Sequence, residues 1–492
     1  MERYDVAVVG AGFGGLGAAL SLAQRGARVV LLERLTYPGG CASTFTRQGY
    51  RFESGATLFS GFGPGQLFDR WIKDLDLDVR FDLMDPVVEL RTEELTLPIS
   101  PDRTTFLETF AALPGAPRKA LSAFFRWQEV IADVLWELFD DPALLPPLNA
   151  TTLLRHLGRS PRYLRLLPVL GKTLEEVMCR RELMDFEPLR IYLDAVSQIT
   201  VQAPASQAEA AFALGAMDYF FRGTGHIHGG IGELAGALAK AVETLGSEVR
   251  FATAVDGLTH RGDHWLVKTR RGELEATRVV ANLLPQNLDD LLGTSPRNDK
   301  RIASLKESVS TSWGAAMLYL GLDEDRLDRD RAYHLELIGD PDRPFTEGNH
   351  IFCSVSGADE EGRAPKGQRV ATISTHLDPT LAWDEDPHLQ KQYVDEVQDR
   401  MRQTLRRRAP ELAVATVFEM TASPRTFERF TNRRQGFVGG IPRVAGFHNY
   451  EQIWPVEIAP GMYLVGDSVF PGQSTLSVAL GGVRVAEAIS RG

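Results

Sequence analysis

Cysteine, excess positive charge and long apolar segments are all scarce in this chain of 492 residues. Its three cysteines, Cys41, Cys179 and Cys353, are odd in number and widely separated, so they indicate neither a disulfide framework nor a metal site. The formal net charge of -11 argues against nucleic acid as a partner, because phosphate binding requires a basic surface. We therefore expect a reducing, cytoplasmic setting and no nucleic-acid partner.

No stretch of the sequence combines the length and hydropathy of a membrane span. The longest uncharged run, 468–483, is rich in Gly and Ser and is shorter than the ~20 apolar residues that a spanning helix needs. The N-terminus lacks the basic and apolar regions of a signal peptide. Hydrophobic residues make up 43% of the chain and charged residues 24%, as in globular proteins, and the length predicts roughly two to four domains.

What the chain does have at its start is a strand, a glycine-rich turn, a helix and a second strand. The turn carries the pattern G-x-G-x-x-G at Gly10, Gly12 and Gly15, with a further glycine at Gly14, and the second strand ends at Glu33. In such a turn the glycines let the backbone approach a pyrophosphate, and the helix N-terminus offers free N–H groups to it. A carboxylate at the end of the second strand binds a ribose and disfavours NADP. The pattern therefore predicts a dinucleotide site and leaves NAD and FAD open.

Three further segments resemble one family of flavoproteins. They are "ERLTYPGG", "GYRFESGA" and, near the end of the chain, "GDSVFPGQSTLSVALGG". They are similar to the FAD-dependent carotenoid isomerases (prolycopene isomerases), phytoene desaturases and retinol saturases. This resemblance implies that FAD is the cofactor and that Glu33 holds the AMP ribose. It further implies nucleotide contacts from Arg34, Gly39, Gly40 and Gly55, and a backbone contact of Val255 with the adenine.

The same resemblance assigns the other end of the cofactor to the C-terminal segment. A strand ends there at Gly466 and Asp467, and a helix begins near Thr475 and Leu476. The resemblance implies that Asp467 binds a ribityl hydroxyl. It also implies that the helix N-terminus directs its positive end toward the flavin carbonyl region, where negative charge appears on reduction.

The order of the elements predicts an α/β fold with a Rossmann-like FAD-binding domain built from discontinuous segments. A mixed α+β substrate domain, bearing a helical cap, interrupts it. The predicted divisions are 1–90, 225–295 and 435–492 for the FAD-binding domain, 91–224 for the helical cap and 296–434 for the substrate-domain sheet.

One segment of the cap combines leucines with basic residues and contains no acidic residue. It runs from Ala143 to Leu174 and carries Arg155, Arg159, Arg162, Arg165 and Lys172. It suits either a helical cap whose leucines are core and whose arginines are solvated, or a face that contacts an anionic membrane in which an apolar substrate is dissolved. The first interpretation is the more economical.

The candidate catalytic residues are His226 and His228, in the segment "GHIHGG". In the family that the sequence resembles, this segment usually carries an aromatic residue and a proline and approaches the flavin. His228 is thus a candidate proton donor or acceptor, with a purely structural hydrogen bond as the alternative. With no third ligand in view, the pair does not predict a metal site. Cys41 is interpreted as a small packed residue.

These features predict an FAD-dependent oxidoreductase that acts on a long apolar polyene by desaturation, saturation or cis–trans isomerisation. One alternative is a flavin oxidase or dehydrogenase of an amine or another small metabolite, since this cofactor domain serves many substrates. A second alternative is a flavin-binding protein without turnover. The electron partner and the direction of the redox change are not encoded in any motif.

Overall fold

The computed structural model describes residues 1–141, 144–146, 148–383, 385–451 and 453–491. Numbered in chain order, its strands are β1 Glu2–Val9, β2 Val29–Leu32, β3 Thr44–Arg47, β4 Tyr50–Glu53, β5 Phe81–Leu83, β6 Val88–Arg91, β7 Thr96–Ile99, β8 Gly225–Ile227, β9 Glu248–Arg250, β10 Val255–Arg261, β11 His264–Thr269, β12 Gly272–Ala281, β13 Gly314–Asp323, β14 Tyr333–Ile338, β15 His350–Val355, β16 Gln368–Leu377, β17 Thr416–Ala422, β18 Val456–Ala459 and β19 Met462–Leu464.

The helices connect and cover these strands. They are α1 Phe13–Gln24, α2 Leu67–Asp74, α3 Arg103–Ala111, α4 Arg118–Asp140, α5 Ala150–Tyr163, α6 Leu174–Cys179, α7 Glu187–Thr200, α8 Ala210–Met217, α9 Ile231–Thr244, α10 Pro285–Leu292, α11 Asp299–Ser310, α12 Pro379–Ala382, α13 Pro387–Arg408, α14 Pro410–Ala415, α15 Pro424–Thr431, α16 His448–Glu451 and α17 Thr475–Arg491. Within the described part of the chain, no helix is long and apolar enough to cross a membrane.

The first large sheet is the nucleotide sheet, with strand order β10-β11-β12-β1-β2-β9 and with β19 beside the end of β12. Its central strands β12, β1, β2 and β9 are parallel. Val6–Val9 and Val29–Leu32 are buried because helices that include α1, α9 and α17 cover one face, and α10 and α11 pack on the other together with apolar side chains of β10 and β11. The predicted α/β class with a Rossmann-like domain built from discontinuous segments is confirmed.

The second large sheet is the substrate sheet, with strand order β17-β13-β16-β15-β14-β6-β7. Helices α13 and α14 cover one of its faces. The division predicted at residue 90 falls inside β6, which pairs with β14 and β7, so the chain enters this sheet at Val88. Neither β14 nor α13 stands out in the sequence, because the first is short and the second is mostly polar and exposed.

The two ends of the chain meet through helices α1 and α17. A Cβ atom at Gly17 would lie 2.5 Å from the carbonyl oxygen of Ala479, and one at Gly482 would clash with the carbonyl oxygen of Gly14. Glycine at these positions therefore lets the two helix backbones touch. This contact brings the loop that precedes α1 next to the loop that precedes α17.

Candidate functional site

A cavity of about 1050 Å³ begins at these two loops and extends between the nucleotide sheet, the substrate sheet and the cap helices. Its nucleotide half is lined by the Gly10–Gly14 turn, the end of β2, the start of β10 and the Gly466–Asp467 turn. Its substrate half is lined by β13, β15 and β16 and by residues of α4, α7 and α8.

The glycine turn is shaped by close backbone approaches. Gly10 has a φ of 96°, and a Cβ atom at Gly15 would clash with the Gly10 carbonyl oxygen. A Cβ atom at Gly12 would lie 2.5 Å from Nδ2 of Asn282, and one at Gly14 would lie 2.8 Å from its Oδ1. Gly15 thus serves helix packing and does not line the cavity, whereas Gly10, Gly12 and Gly14 do. Asn282, which sequence reasoning missed, follows β12 and supports the turn.

Glu33 lies at the end of β2, buried against the turn, and lines the cavity. The backbone N–H groups of Ala11 and Leu35 donate to its two carboxylate oxygens, each at 2.8 Å. Burial raises the pKa of Glu33, although these two hydrogen bonds oppose the shift. The carboxylate is therefore held in one orientation by the backbone on either side of it.

The other nucleotide-side residues predicted from the resemblance lie around Glu33. Gly39, with a φ of 112°, donates its N–H to the Ala11 carbonyl oxygen at 2.8 Å. Val255 follows a turn in which Thr253 donates its N–H to the Glu33 carbonyl oxygen at 2.7 Å. The cavity-lining residues among this predicted set are Arg34, Gly39, Gly40, Gly55 and Val255.

The C-terminal turn faces the glycine turn across the cavity. Gly466 has a φ of 113°, and its neighbour Asp467 accepts two hydrogen bonds from Nη2 of Arg433, at 2.8 and 3.1 Å. Burial by itself lowers the pKa of Arg433, but the adjacent carboxylate of Asp467 raises it above its ordinary value. Arg433 lines the cavity and was not singled out in the sequence, because no local motif connects it to Asp467.

Helix α17 begins at Thr475, whose side chain lines the cavity and is 4% exposed. Its hydroxyl lies beside the hydroxyl of Tyr219, which also lines the cavity. Leu476 is buried next to it but does not line the cavity, and its side chain packs against Gly61. The first N–H groups of a helix have no partner inside the helix, so this terminus offers donors beside the Thr475 hydroxyl.

These features fit FAD. The glycine turn and the terminus of α17 each present backbone donors to the cavity, which suits the anionic and carbonyl groups of the cofactor. Glu33 provides the carboxylate for a ribose, and the Thr475 hydroxyl is a buried polar group at the cavity wall. The volume between the two turns is continuous with the substrate half, so a cofactor held there would reach it.

The two candidate catalytic histidines lie elsewhere. Nε2 of His226 is 2.7 Å from Oε1 of Glu360, and Nε2 of His228 is 2.7 Å from Oδ2 of Asp82. Burial raises the pKa of Glu360, but the hydrogen bond and charge of His226 outweigh it and lower the pKa to about 2. Neither histidine is among the residues that line the cavity. The expected approach of "GHIHGG" to the flavin is thus corrected: strand β8 turns both side chains toward acidic residues outside the cavity.

The substrate half is largely apolar. Its apolar lining comes from the cap helices, the substrate sheet and the loop after α15, and includes Leu135, Trp136, Leu138, Phe139, Leu145, Leu166, Leu170, Phe212, Met317, Phe352, Val438, Ile441 and Ile453. The carboxylates that line the whole cavity are Glu33, Asp256, Asp290 and Asp467, all in its nucleotide half. Among the residues that the structure describes, no group of three or more His, Cys, Asp or Glu side chains could hold a metal ion.

The basic cap segment is less positively charged than its sequence suggests. Arg155 pairs with Asp141, and Arg162 pairs with Glu137, both acids contributed by the neighbouring helix α4 or its end. The leucines of the segment differ in burial: Leu144, Leu145, Leu166 and Leu174 are buried, Leu148 and Leu170 are half-buried, and the other five are exposed. The exposed group, here called the leucine patch, is Leu153, Leu154, Leu157, Leu164 and Leu167. Ala143, the predicted start of this segment, lies outside the described residues.

Comparison with known proteins covers both sequence and fold. Residues 8–75 match the profile of the NAD(P)-binding Rossmann-like domain. The chain is 26% identical over 519 residues to prolycopene isomerase 1 of an Oncidium hybrid cultivar, covering 99% of this chain and 84% of that protein. It is 24% identical over 536 residues to the neurosporene-forming phytoene desaturase of Rhodobacter capsulatus, covering 98% and 93%.

The chain is a homologue of the prolycopene isomerases and phytoene desaturases. A shorter match, 44% identical over 73 residues and covering 15% of this chain and 12% of the other, links this homologue to human all-trans-retinol 13,14-reductase. The resemblance predicted from the three sequence segments is therefore confirmed.

Solved structures agree on the fold. An oxidoreductase from Methanosarcina mazei superposes with a TM-score of 0.64 at 16% identity, covering 99% of this chain and all of that one. Putrescine oxidase bound to putrescine superposes with a TM-score of 0.62 at 15% identity, covering 100% of this chain and 99% of that one. The carotenoid-isomerase homologue thus has the two-domain fold of FAD-dependent oxidoreductases, and the predicted enzyme class and cofactor are confirmed.

Proposed function

We propose that this homologue is an FAD-dependent oxidoreductase whose substrate is a long apolar polyene. The observation that supports the proposal most directly is the substrate half of the cavity. It is lined by leucine, phenylalanine and other apolar side chains, it carries no carboxylate among the described lining residues, and it is continuous with the nucleotide half. Such a channel binds a polyene by burying apolar surface, at ~25 cal/mol per Å².

We assign the cofactor to the two facing turns. Glu33 would bind the AMP ribose, with Arg34, Gly39, Gly40, Gly55 and Val255 along the nucleotide. The turn of Gly10, Gly12 and Gly14 would face the pyrophosphate, and Gly466, Asp467 and the start of α17 at Thr475 and Leu476 would face the flavin end. When bound, FAD supplies hydride acceptance or donation.

The protein's own contribution is then positioning and exclusion of water. The apolar lining aligns an extended substrate with the flavin end and keeps solvent from the reacting bond. We assign no general acid or base role to His226 or His228, because both lie outside the cavity. Desaturation, saturation and isomerisation of a polyene all suit this arrangement, and the three relatives named above represent one each by name.

The alternative of an amine oxidase is less well supported. Putrescine oxidase shares the fold, yet a buried ammonium group is stabilised best by a nearby carboxylate, and aromatic faces such as those in this channel replace only part of its hydration. In the cavity as described, the acidic side chains belong to the nucleotide half. An amine would therefore enter an apolar channel without a counter-ion.

Anaerobic incubation of the FAD-loaded protein with a panel of cis-carotenes, saturated and unsaturated retinoids and putrescine tests the assignment, in parallel samples whose flavin is oxidised or has been chemically reduced beforehand. We expect conversion of a polyene and none of putrescine. Product mass separates the reactions: a loss of two hydrogens indicates desaturation, a gain of two indicates saturation, and an unchanged mass with a changed chromatographic position indicates isomerisation. Bleaching of the flavin band by putrescine alone would establish the amine alternative.

A second part of the proposal is peripheral contact with a lipid surface through the leucine patch. Leu164 and Leu167, 64% and 61% exposed, flank Leu166, which lines the cavity. Phe447 and Trp454 are also exposed, and Trp454 adjoins the cavity-lining Ile453. Because an apolar polyene resides in the membrane, exposed apolar side chains next to cavity-lining residues would give it a path that avoids water.

Flotation with vesicles of phosphatidylcholine, with and without phosphatidylglycerol, tests this contact. We expect binding to both kinds of vesicle with a modest gain from the anionic lipid, since Glu137 and Asp141 offset part of the basic charge. The double variant Leu154→Glu, Leu157→Glu should no longer bind vesicles. The matched control, Leu381→Glu with Leu389→Glu, changes exposed leucines elsewhere on the surface and should still bind them. Equal flotation of both variants would remove the leucine patch from the proposal.

A further inference from the structure

The apolar half of the cavity contains one compact group of polar side chains. It lies where the substrate sheet meets the end of α7 and the Gly439–Gly440 turn. Its members are Gln198, Gln202, His350, His376 and Gln473, here called the glutamine–histidine cluster. Of these, Gln202, His350, His376 and Gln473 line the cavity.

The strand register places the two histidines together on the cavity face. His376 lies opposite Ala315, and Ser374 lies opposite both Met317 and Phe352. One step further along the same antiparallel pair puts His350 opposite His376, because residues two apart share a face. Burial and the charge of His376 lower the pKa of His350 to about 3, and burial lowers that of His376 to about 4. Both rings are therefore neutral at pH 7.

Gln198 and Gln202 hold the His376 ring between them. Nδ1 of His376 is 3.5 Å from the side-chain amide of Gln198, and its Nε2 is 3.5 Å from that of Gln202. Both contacts come from amide nitrogens, which only donate, and a neutral imidazole has one acceptor nitrogen, so one of the two amides can donate to the ring. In this arrangement the Nε2 end of Gln202 is next to His376, and its Oε1 atom remains for a second partner.

That second partner is missing from the described protein. The remaining amide atom of Gln202, the Nε2 atom of His350 and Oε1 of Gln473 are all buried without a hydrogen-bond partner among the described residues. Gln202 and His350 are 2% and 4% exposed. Buried polar groups in proteins nearly always have a partner, so three neighbouring exceptions at a cavity wall indicate a ligand atom or water.

Backbone strain supports the same conclusion for Gln202. Its φ of 62° is in the left-handed region, which glycine adopts without cost and glutamine does not. The backbone is held there because the Gln202 carbonyl oxygen accepts from Nε1 of Trp313 at 2.9 Å. A Cβ atom at Gly439 would clash with the Gln202 amide and would lie 2.8 Å from Oε1 of Gln473. The fold thus fixes this side chain at the cavity wall.

The cluster also adjoins the turn assigned to the flavin end. Gly440, next to Gly439, packs so closely against Asp467 that a Cβ atom there would clash with the Asp467 carbonyl oxygen. Polar groups at this point would contact the part of a substrate that lies nearest Asp467. The cluster carries no carboxylate and two neutral imidazoles, so it suits an uncharged group.

We propose that the glutamine–histidine cluster binds an uncharged oxygen atom of the substrate, a hydroxyl or a carbonyl, so that the preferred substrate is an oxygenated polyene and not a hydrocarbon. This inference rests on the proposed function and narrows its substrate class. The Oε1 atom of Gln202 can accept from a hydroxyl, and Nε2 of His350 can accept from a hydroxyl or donate to a carbonyl according to its tautomer. A hydrocarbon in the same channel would leave these groups unpaired.

The test compares ligands that differ by one oxygen. Equilibrium binding to the FAD-loaded protein, followed by perturbation of the flavin spectrum, is measured for β-carotene against its monohydroxy derivative and for all-trans-retinol against the hydrocarbon of the same skeleton. All-trans-retinal separates a carbonyl from a hydroxyl. We expect the oxygenated member of a pair to bind at least about tenfold more tightly, because a ligand without the oxygen leaves a buried polar group of the protein without a partner.

Variants test whether the preference for the oxygenated ligand depends on Gln202. Gln202→Met should weaken binding of the oxygenated ligand about tenfold and leave the hydrocarbon within about twofold, which removes the discrimination. Gln286→Met is the matched control, because Gln286 is also buried with an unpartnered Oε1 but does not line the cavity. The wild-type comparison needs no variant, so the proposal is testable even if Gln202→Met does not fold.

The outcomes distinguish failure of the proposed oxygen site from failure of the proposed polyene function. Equal binding of both members of each pair, or discrimination that survives Gln202→Met in a folded, FAD-loaded variant, would overturn the oxygen site and leave the polyene function standing. Absence of binding by every polyene, oxygenated or not, would overturn both. Preference for the oxygenated ligand that is lost in Gln202→Met and kept in Gln286→Met supports the inference.

Discussion

The two halves of the cavity differ in whether backbone or side chains form them. The nucleotide half is formed mainly by backbone: glycines, helix termini and the two N–H groups that hold Glu33. The substrate half is formed by side chains from β13, β15, β16, α4, α7 and α8, which are far apart in sequence. A backbone site is specified by a few adjacent residues, whereas a side-chain site depends on how distant elements pack. Changes in the two halves should therefore have different consequences.

The largest effect is expected from Gly15→Ala in the nucleotide half. The added methyl group would clash with the Gly10 carbonyl oxygen, so α1 or the turn must move. We expect FAD affinity to fall at least about 100-fold, measured by flavin fluorescence titration, because a ~1 Å displacement removes several hydrogen bonds. Gly236→Ala, in α9 with nothing within 4 Å of the new Cβ, should bind FAD normally. Normal FAD binding by Gly15→Ala would show that the turn is deformable.

The next effect is specific to the substrate half. Leu170→Trp places an indole in the apolar channel, and we expect polyene affinity in detergent micelles to fall at least about tenfold through overpacking. FAD binding should stay within twofold, since Leu170 belongs to the substrate half. Leu167→Trp, at an exposed position of the leucine patch, serves as the control and should retain affinity. Loss of FAD from Leu170→Trp would mean that the two halves are not separable.

Arg433→Met tests the one side-chain contact on which the nucleotide half depends. Asp467 would lose the guanidinium that donates to both of its oxygens. We expect FAD affinity to fall about tenfold and the melting temperature to fall as well, because a partly buried carboxylate is left without its partner. Arg434→Met breaks an exposed pair with Asp290 and should change neither quantity measurably. The double variant Arg433→Met, Asp467→Asn should recover the melting temperature.

An effect that depends on pH is expected at Glu336, which faces the same side of the substrate sheet as Phe352. Burial raises the pKa of Glu336 to about 8, and neither carboxylate oxygen has a partner among the described residues. The folded protein therefore keeps a proton that the unfolded chain releases above about pH 4.5. Stability from this group is complete below that pH and is lost as the pH rises to about 8.

Glu336→Gln removes this titration. The free energy of unfolding of the variant relative to wild type should rise with pH between about 4.5 and 8, with a slope of up to about 1.4 kcal/mol per pH unit, and then level off. Denaturant unfolding at several pH values measures the difference. A pH-independent difference would show that Glu336 is ionised in the folded protein.

The smallest effect is expected at the histidine that the sequence offered as a candidate proton donor. His228 pairs with Asp82 outside the cavity, so His228→Asn should leave the turnover of a converted polyene and its pH profile within about twofold of wild type. A large fall in turnover with normal FAD content would show that His228 takes part in catalysis.

Sequence reasoning was accurate where a function depends on short-range backbone geometry. The G-x-G-x-x-G turn, the second strand ending at Glu33 and the strand before Gly466 all lie where the sequence predicts them. It was less accurate for His226 and His228, because their neighbours Glu360 and Asp82 come from distant segments and turn them away from the cavity. Nothing in the sequence near Arg433 or Asn282 signalled their contacts with the two turns.

The sequence by itself determined the Rossmann-like fold and the position of the two turns assigned to the cofactor, because glycine spacing and strand hydropathy act over a few adjacent residues, whereas the choice of FAD came from the resemblance to a family. Only the tertiary structure decided which side chains line the substrate half. Gln202 and His376 are 174 residues apart in the chain and meet through the packing of α7 against β16. That packing depends on long-range contacts, so the polar group that sets the proposed substrate class appears only in the folded protein.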